Sequence, residues 1–195
     1  MMCGGITVFN PIKDLGAGPG KRIGIVGIGG LGHFGLLFTK TLGADPVAIS
    51  HSSSKKADAE KMGAVQFISV KDEPDFATKY SRTLDGIVVT ANNHDMPLAE
   101  YVQLLKPGCR LILVGAPEQP IVLQTFPLLF NKVSIGGSLI GGTKQIEEML
   151  RVAAKNGVRS WVQTRSMKDA NQAVVDMEAG KARYRYVLVN EKHLK

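Results

Sequence analysis

The chain has 195 residues, of which 44% are hydrophobic, so it is long enough to bury a core and to form one domain or slightly more. Its formal charge of +7 comes from lysines and arginines scattered among acids, with no basic patch interleaved with aromatic residues. This distribution favours a solvated basic surface and argues against a nucleic-acid partner.

No apolar run approaches the ~20 residues that a membrane-spanning helix requires, and the chain does not open with a basic segment followed by a long apolar one. Two cysteines, Cys3 and Cys109, are too few for a disulfide framework, although a single bridge between them stays open. We therefore expect a soluble, cytoplasmic protein with no membrane partner.

The start of the chain leads into a strand and a glycine-rich turn. A short apolar piece, residues 6–9, and a segment rich in Pro and Gly predict a helix or turn before the strand. The strand, residues 23–26, precedes Gly27, Gly29 and Gly32 in the spacing G-x-G-x-x-G, and an apolar helical stripe follows. These glycines would allow a tight turn, the approach of a pyrophosphate and close helix packing. The alternative is a turn without a ligand.

Apolar runs alternate with helical segments through the first 142 residues. This alternation predicts an α/β fold with a doubly wound parallel sheet, the Rossmann architecture. The predicted strands after the glycine turn cover residues 46–50, 65–69, 85–90, 110–114 and 133–139. The predicted helices cover residues 55–62, 75–81, 96–105 and 126–131, the third of them ended by Pro107 and Gly108.

The pattern changes after Gly142. The remaining predicted elements are an amphipathic helix over residues 144–156, an extended segment over 160–164, a capping box from Ser166 to Asp169 that opens a helix to Ala179, and a strand over 183–189. We divide the chain into a dinucleotide-binding domain, residues 1–157, and a C-terminal segment, residues 158–195, which is long for the last unit of such a sheet and is expected to belong partly to a neighbouring domain.

The segment after the second strand indicates which dinucleotide the turn would hold. NAD sites usually place Asp or Glu there, about 20 residues beyond the glycines, to bind the ribose hydroxyl groups. Here Ser50 takes that position and is followed by His51, three serines and two lysines, with no carboxylate. Hydroxyl groups and cations would bind a 2′-phosphate, so we predict NADP rather than NAD. The alternative is a solvated turn in which Ser53 or Ser54 caps the next helix.

Two other nucleotide-binding classes fit the sequence less well. Short-chain reductases use a Tyr-x-x-x-Lys pair, and no tyrosine of this chain has a lysine four residues later. Rossmann-like methyltransferases normally place an acid after the second strand, where this chain has Ser50.

Together these motifs resemble the zinc-containing medium-chain dehydrogenases, in the NADP-dependent branch of cinnamyl and aliphatic alcohol dehydrogenases. The resemblance runs nearly from end to end of the chain and implies that residues 158–195 belong to the family's catalytic domain. The matching segments are Met-Cys-Gly-Gly-Ile-Thr-Val at residues 2–8, Gly-Ile-Val-Gly-Ile-Gly-Gly-Leu-Gly at 24–32, Ile-Ser-His-Ser-Ser at 49–53, Lys-Met-Gly-Ala at 61–64 and Arg-Tyr-Arg-Tyr at 183–186. The resemblance implies hydride transfer between NADP and a small-molecule alcohol or aldehyde.

The resemblance also implies which residues hold the cofactor. His51 stands where relatives often have Arg, and Arg185 would reach the pyrophosphate unless it is only an exposed strand arginine. The other candidates are Gly27, Gly29, Gly30, Leu31 and Gly32 for the pyrophosphate, Ser50, His51, Ser53 and Lys55 for the 2′-phosphate, Thr90 and Ala91 for the nicotinamide ribose, and Val114, Gly115, Ser138 and Leu139 for the nicotinamide.

The resemblance gives Cys3 the role of third ligand to a catalytic zinc, which needs three protein ligands and one open position. The family's N-terminal catalytic domain, with the other cysteine and histidine ligands, has no counterpart in this sequence. No other cysteine or histidine stands in ligand spacing with Cys3. We therefore expect the cofactor-binding portion alone, with NADP binding, Cys3 as a free thiol, no zinc bound by this chain and no dehydrogenase activity.

Two alternatives from other classes stay open. One is a standalone nucleotide-binding module that forms a homodimer by pairing strand 133–139 with a second copy, because an exposed sheet edge is a template for strand pairing. The resembled family's dimers use this strand. The other is a zinc-free quinone-reductase relative, against which Cys3 counts because those enzymes usually have a non-ligating residue there.

Overall fold

The computed structural model describes residues 1–193. Its contacts divide the chain into two compact units, Met1–Val158 and Arg159–Lys195. This division reflects compactness alone. The expected domains, residues 1–157 and 158–195, and the assignment of the second to a catalytic domain stay predictions.

The first unit is built on one parallel sheet of six strands in the order β3-β2-β1-β4-β5-β6. This order confirms the predicted doubly wound α/β fold. The strands are β1 (Arg22–Val26), β2 (Asp45–Ser50), β3 (Gln66–Ser69), β4 (Leu84–Val89), β5 (Leu105–Leu113) and β6 (Ser134–Gly137). The helices are α1 (Gly4–Asp14), α2 (Gly32–Thr41), α3 (Lys56–Lys61, after a 3₁₀ turn at Ser53–Lys55), α4 (Phe76–Lys79), α5 (Leu98–Gln103), α6 (Thr125–Asn131) and α7 (Thr143–Lys155).

Helices cover both faces of the central strand β1. On one face, Ile25 lies so close to Gly35 of α2 that a Cβ at this glycine would come within 3.0 Å of the Ile25 side chain. On the other face, Val26 belongs to an apolar cluster with Phe76 of α4 and Tyr101 of α5. Strands buried on both faces need continuous apolar runs, which explains why β1, β2 and β4 were readable from the sequence.

The prediction that Pro107 and Gly108 end a helix is wrong. Helix α5 already ends at Gln103, and both residues lie inside β5, which begins at Leu105. The pairing of β5 with β4 shifts register there, and Gly108 adopts a positive φ of 81°. A strand irregularity of this kind accommodates a proline and a glycine within a sheet.

The second unit contains a separate pair of parallel strands, β7 (Val162–Ser166) and β8 (Arg185–Val189). Between them lie a 3₁₀ turn (Met167–Asp169) and helix α8 (Ala170–Glu178), and a further 3₁₀ turn (Glu191–His193) follows β8. The predicted capping box between Ser166 and Asp169 does not form. The Ser166 hydroxyl accepts from the N–H of Lys168, and Asp169, at the N-cap of α8, makes no side-chain cap bond.

Among residues 1–193, no helix combines the length and the apolar character that crossing a membrane would require.

Candidate functional site

The candidate site lies along the carboxyl ends of the parallel strands. In a doubly wound sheet, ligands bind where the strand order reverses, which here is between β1 and β4. The topology places five predicted segments at this edge: the glycine turn after β1, residues 50–55 at the end of β2, residues 90–91 after β4, residues 114–115 after β5 and residues 138–139 after β6. The predicted cofactor residues of the first unit therefore share one edge of the sheet.

The glycine turn has the geometry that its sequence predicts. Gly27 has a φ of 86°, and its N–H donates to the carbonyl of Ile49 at 2.8 Å. A Cβ at Gly32 would overlap the carbonyl oxygen of Gly27, so only glycine allows α2 to begin this close to β1. A Cβ at Gly29, in contrast, would meet nothing within 4 Å. Contact with the described residues therefore does not require a glycine here, whereas the close approach of a ligand would.

Three side chains hold the main chain of the glycine turn. Thr90 donates its hydroxyl hydrogen to the carbonyl of Gly27 at 2.7 Å. The ammonium of Lys55 donates to the carbonyl of Ile28 at 2.7 Å, and Nδ1 of the fully buried His33 lies 3.0 Å from the carbonyl oxygen of Gly30.

These contacts hold the main chain of the turn at the N-terminus of α2, and the first N–H groups of a helix are a favourable site for an anion. They also change two expected roles. Thr90 uses its hydroxyl hydrogen within the protein, so it would meet a ribose as an acceptor. Lys55 has three donor hydrogens, and the bond to Ile28 uses one of them.

The segment proposed for the 2′-phosphate lies between β2 and α3. Ser50 pairs with Ser69 of β3, His51 and Ser53 are exposed, and the hydroxyl oxygens of Ser52 and Ser54 lie 3.2 Å apart. Ser52 and Lys55 are the N-cap residues of the 3₁₀ turn and of α3, so the predicted capping by Ser53 or Ser54 is wrong. A solvated turn without a ligand stays an alternative. The segment keeps its exposed hydroxyl groups at the edge where a ligand would bind.

A carboxylate that sequence reasoning missed lies beside this segment. The Ser69 hydroxyl donates to Asp72 at 2.7 Å, and hydrogen bonds from Ser69 and Ser53 hold the pKa of the Asp72 carboxyl below its ordinary value. The absence of acids within residues 50–56 therefore does not describe the whole site. The signal was the Ser-x-x-Asp spacing at residues 69–72, since β3 ends beside β2.

The segments proposed for the nicotinamide border a cavity of about 420 Å³ between the ends of β5 and β6. The N–H groups of Val114 and Gly115 both donate to the carbonyl of Val89, at 3.0 and 3.2 Å, and the N–H of Ser138 donates to Leu113 at 3.1 Å. These three amides are committed to the sheet, so a ligand would meet main-chain carbonyl groups there. The cavity is lined by Leu113, Val114, Gly115, Ala116, Gly137, Ser138 and Leu139.

Gly115 also brings the ends of β4 and β5 together. A Cβ at this position would overlap the carbonyl oxygen of Ala91, the residue proposed to lie beside the nicotinamide ribose. The two predicted residues are therefore neighbours in space although 24 positions separate them.

Two predicted residues belong to other segments of the chain. Arg185 is exposed on β8 of the second unit, where its main-chain N–H donates to Trp161 at 3.2 Å, and its role toward a pyrophosphate stays a prediction. Cys3 is exposed immediately before α1, and both cysteines are free.

A zinc site does not form from the described residues alone. Within residues 1–193 no group of three or more His, Cys, Asp or Glu side chains is arranged to hold a metal ion. A catalytic zinc needs three protein ligands, and Cys3 supplies at most one. The role of Cys3 as a ligand stays a prediction.

Comparison with known proteins agrees with this geometry. Residues 30–155 match the sequence profile of the zinc-binding dehydrogenases. The chain is 38% identical over 192 residues to the NADP-dependent alcohol dehydrogenase 6 of Saccharomyces cerevisiae, covering 97% of this chain and 53% of that protein. It is 40% identical over 190 residues to cinnamyl alcohol dehydrogenase 2 of Rauvolfia serpentina, covering 96% and 52%.

Solved structures give the same result. A cinnamyl alcohol dehydrogenase from Sorghum bicolor superposes with a TM-score of 0.90 at 31% identity, over 95% of this chain and 53% of that one. The CAD of Helicobacter pylori, in complex with NADP(H), superposes with a TM-score of 0.84 at 32% identity, over 95% and 52%. The chain thus spans about half the length of the relatives it matches. It belongs to the zinc-binding dehydrogenase family, in the branch of cinnamyl and aliphatic alcohol dehydrogenases that its motifs resemble.

Proposed function

We propose that this chain is the NADP(H)-binding portion of a zinc-dependent alcohol dehydrogenase, an enzyme that transfers hydride between an alcohol or aldehyde and the nicotinamide. The observation that carries the proposal is the open space at Gly29, above a glycine turn that other residues of the fold hold in place. A ligand that must approach the main chain closely, as a pyrophosphate does, accounts for a glycine there.

The preference for NADP(H) is supported by the side chains beyond β2. Ser50 stands where NAD sites usually have an acid, and the ammonium of Lys55 lies at the adjoining turn. The yeast relative is named NADP-dependent, and the Helicobacter pylori enzyme was solved with NADP(H). Asp72 works against this preference because its charge repels a phosphate, so we expect a moderate discrimination rather than an absolute one.

Calorimetric titration of the purified 195-residue chain with NADPH and with NADH tests this proposal. We expect NADPH to bind more tightly, and the difference to shrink as the salt concentration rises, since the phosphate contributes through charge. Equal affinities, or no binding of either dinucleotide, would contradict the proposal.

We also propose that this chain binds the cofactor without oxidising alcohols, because Cys3 lacks two further zinc ligands among the described residues. Assays with NADPH and a series of aromatic and aliphatic aldehydes should show no turnover above the protein-free rate. A parallel assay with quinones addresses the zinc-free alternative. Turnover of a quinone without turnover of aldehydes would favour a quinone reductase.

The second unit is proposed to be part of a catalytic domain. Its support is a set of apolar side chains that stay 42–57% exposed on a two-stranded sheet and one helix: Val162, Val174, Val175, Met177 and Val187. A larger domain would cover such side chains. Hydrogen exchange tests the idea: amides of β7 and β8 should exchange faster than those of β1 and β4, and equal protection would contradict it.

A homodimer is the second part of the proposal, and the surface beside β6 supports it. Strand β6 is the last strand of its sheet. Helix α6 precedes it and presents Phe126, Leu129 and Phe130 with 71%, 73% and 68% of their surface exposed, and Leu139 follows it with 83% exposed. A second copy would pair with the free edge of β6 and cover these side chains.

Light scattering over a range of protein concentrations tests the dimer. We expect a dimer for the unmodified chain and a monomer for Leu129→Asp, which places a charge on the exposed side of α6. Leu150→Asp, a matched change at an exposed leucine of α7, should leave the dimer intact. An unmodified chain that is monomeric at all concentrations would rule the dimer out.

A further inference from the structure

A buried amide connects the start of the chain with the loop after β6. Asn10 lies on α1, is only 6% exposed, and donates from Nδ2 to the carbonyl of Ile140 at 2.8 Å. These residues are 130 positions apart in the chain. A buried amide that lost its partner would be costly, so this bond constrains both elements strongly.

The acceptor residue has an unusual main-chain conformation. Ile140 has a φ of 35°, and such values are rare for a β-branched residue because its side chain crowds the main chain. Conformations of this kind persist only where the surroundings impose them. Ile140 directly follows Ser138 and Leu139, which line the cavity proposed for the nicotinamide. The bond from Asn10 therefore acts on the main chain that borders this cavity.

Gly141, which follows Ile140 in the loop, also packs closely against Asn10. A Cβ at Gly141 would overlap Nδ2 of Asn10 and come within 3.0 Å of Oε1 of Gln145. This oxygen accepts from the N–H of Gly142 at 2.9 Å. The loop is thus held between a side chain of α1 and a side chain of α7.

Helix α1 is a rigid support for this bond. Residues 4–12 are buried without exception, and the ring of Phe9 packs edge-on against Phe38 of α2 at 5.2 Å between ring centres. The surface of α7 lies close to α1, since a Cβ at Gly5 would come within 3.0 Å of the sulfur of Met149. A side chain on such a helix cannot shift without disturbing the core.

We propose that Asn10 is a positioning residue for the nicotinamide end of bound NADP(H). It contacts no part of the cofactor. It fixes the carbonyl of Ile140, and through it the main chain of the loop that forms one wall of the nicotinamide cavity. This inference rests on the proposed function, because it assumes that the cavity between β5 and β6 receives the nicotinamide.

Two ligands test binding at the two ends of the cofactor site separately. NADPH occupies the whole site, whereas adenosine 2′,5′-bisphosphate carries the 2′-phosphate but no nicotinamide. For Asn10→Ala we expect the dissociation constant of NADPH to rise about threefold to tenfold, as the loss of one buried hydrogen bond would produce, while that of the bisphosphate stays within about twofold of its original value. The fluorescence enhancement of bound NADPH should also fall, because this signal reports on the surroundings of the reduced nicotinamide.

Gly141→Ala tests the same bond from the other side without removing any group. Its methyl group would displace the Asn10 amide, so we expect the same selective loss of NADPH affinity. The double variant should bind NADPH no more weakly than either single variant, since both remove one bond. Asn131→Ala is the matched control: Asn131 is 5% exposed and donates from Nδ2 to the carbonyl of Pro127 at 3.1 Å, within α6 and before β6 rather than after it. It should leave both affinities unchanged.

The outcomes distinguish this inference from the function on which it rests. An unmodified chain that binds neither ligand overturns the proposed function and this inference together. An unmodified chain that binds both, with Asn10→Ala and Gly141→Ala variants that bind NADPH equally well, overturns the positioning role alone. The same holds if these folded variants lose both ligands to the same extent, because that result indicates general loosening.

Discussion

The ammonium nitrogen of Lys55 lies 2.7 Å from the carbonyl oxygen of Ile28, so the lysine of the serine-rich segment is bonded to the middle of the glycine turn. The two segments lie at the ends of neighbouring strands, β2 and β1. One would hold the 2′-phosphate and the other the pyrophosphate. The bond therefore fixes the distance between two anion-binding elements of the proposed site.

This relationship predicts a double effect for Lys55→Met, which removes the charge and the bond but keeps most of the side chain. We expect NADPH to bind about tenfold or more weakly, in the range that loss of a charge-assisted hydrogen bond produces, and NADH to lose less affinity. Lys56→Met is the control, because it removes the same charge from the next, exposed residue. Equal losses for the two variants in a calorimetric titration would show that only net charge matters.

Removal of the charge of Asp72 should have the opposite effect and strengthen NADPH binding. Its carboxylate accepts hydrogen bonds from Ser69 and Ser53 and brings a negative charge to the proposed phosphate segment. Asp72→Asn keeps an acceptor for the serines and removes the charge, so NADPH affinity should rise about twofold to fivefold, as expected for an exposed charge pair. NADH affinity should stay the same.

Asp75→Asn removes a charge three residues away and should have little effect on either dinucleotide. The test is the ratio of the NADPH and NADH dissociation constants for each variant. Weaker NADPH binding by Asp72→Asn would mean that the carboxylate holds Ser53 in its binding conformation.

Two glycines of the turn should respond differently to the same methyl group. In Gly32→Ala the Cβ overlaps the carbonyl of Gly27, so we expect the free energy of unfolding to fall by about 1–3 kcal/mol, as in other overpacked sites. In Gly29→Ala the Cβ meets no protein atom, so stability should change little.

NADPH affinity then decides whether the turn holds a ligand. Gly29→Ala should weaken NADPH binding while urea denaturation shows an unchanged fold, since the methyl group would occupy space needed by the pyrophosphate. Normal NADPH binding by this variant would favour the alternative of a structural turn.

Local signals explain which features were predictable. The G-x-G-x-x-G spacing within one short segment predicts the positive φ of Gly27 and the close packing at Gly32. Continuous apolar runs predict the buried strands β1, β2 and β4. The predicted start of β5, residue 110, is wrong because a distant partner fixes the first residues of this strand: Leu105 pairs with Leu84, and both are buried. Pro107 and Gly108 act as breakers locally, but the sheet accommodates them as an irregularity.

The contacts of Asp72 and Asn10 are also not predictable from a local pattern, because they join segments that are distant in the sequence. Asp72 reaches Ser53 only because β3 ends beside β2, and Asn10 reaches Ile140 across 130 positions of sequence. The Ser-x-x-Asp spacing indicates the bond between Ser69 and Asp72, but no local pattern indicates the contact of Asp72 with Ser53 or the bond from Asn10 to Ile140. The sequence thus predicts the strands and the glycine turn better than the long-range contacts that hold the loops at the ends of the strands.

The second unit provides a pH-dependent prediction through Asp176, which is 7% exposed. Ion pairs with Arg165 at 2.7 Å and Lys181 at 3.0 Å lower its pKa from the ordinary 3.8 to about 2. Because the pKa is lower in the folded chain than in the unfolded one, the ionised group stabilises the second unit above about pH 4. This contribution is lost as the pH falls from about 4 to about 2.

The single tryptophan, Trp161, packs against Tyr184 in this unit and reports on its unfolding. Urea titrations followed by tryptophan fluorescence should show that Asp176→Asn lowers the midpoint at pH 7 and flattens the fall in stability between pH 4 and pH 2. Glu178→Gln, an exposed acid on the same helix, should retain the pH dependence of the unmodified chain. If Asp176→Asn keeps the full acid-induced loss, carboxylates other than Asp176 are responsible for it, and the ion pairs with Arg165 and Lys181 add little to stability.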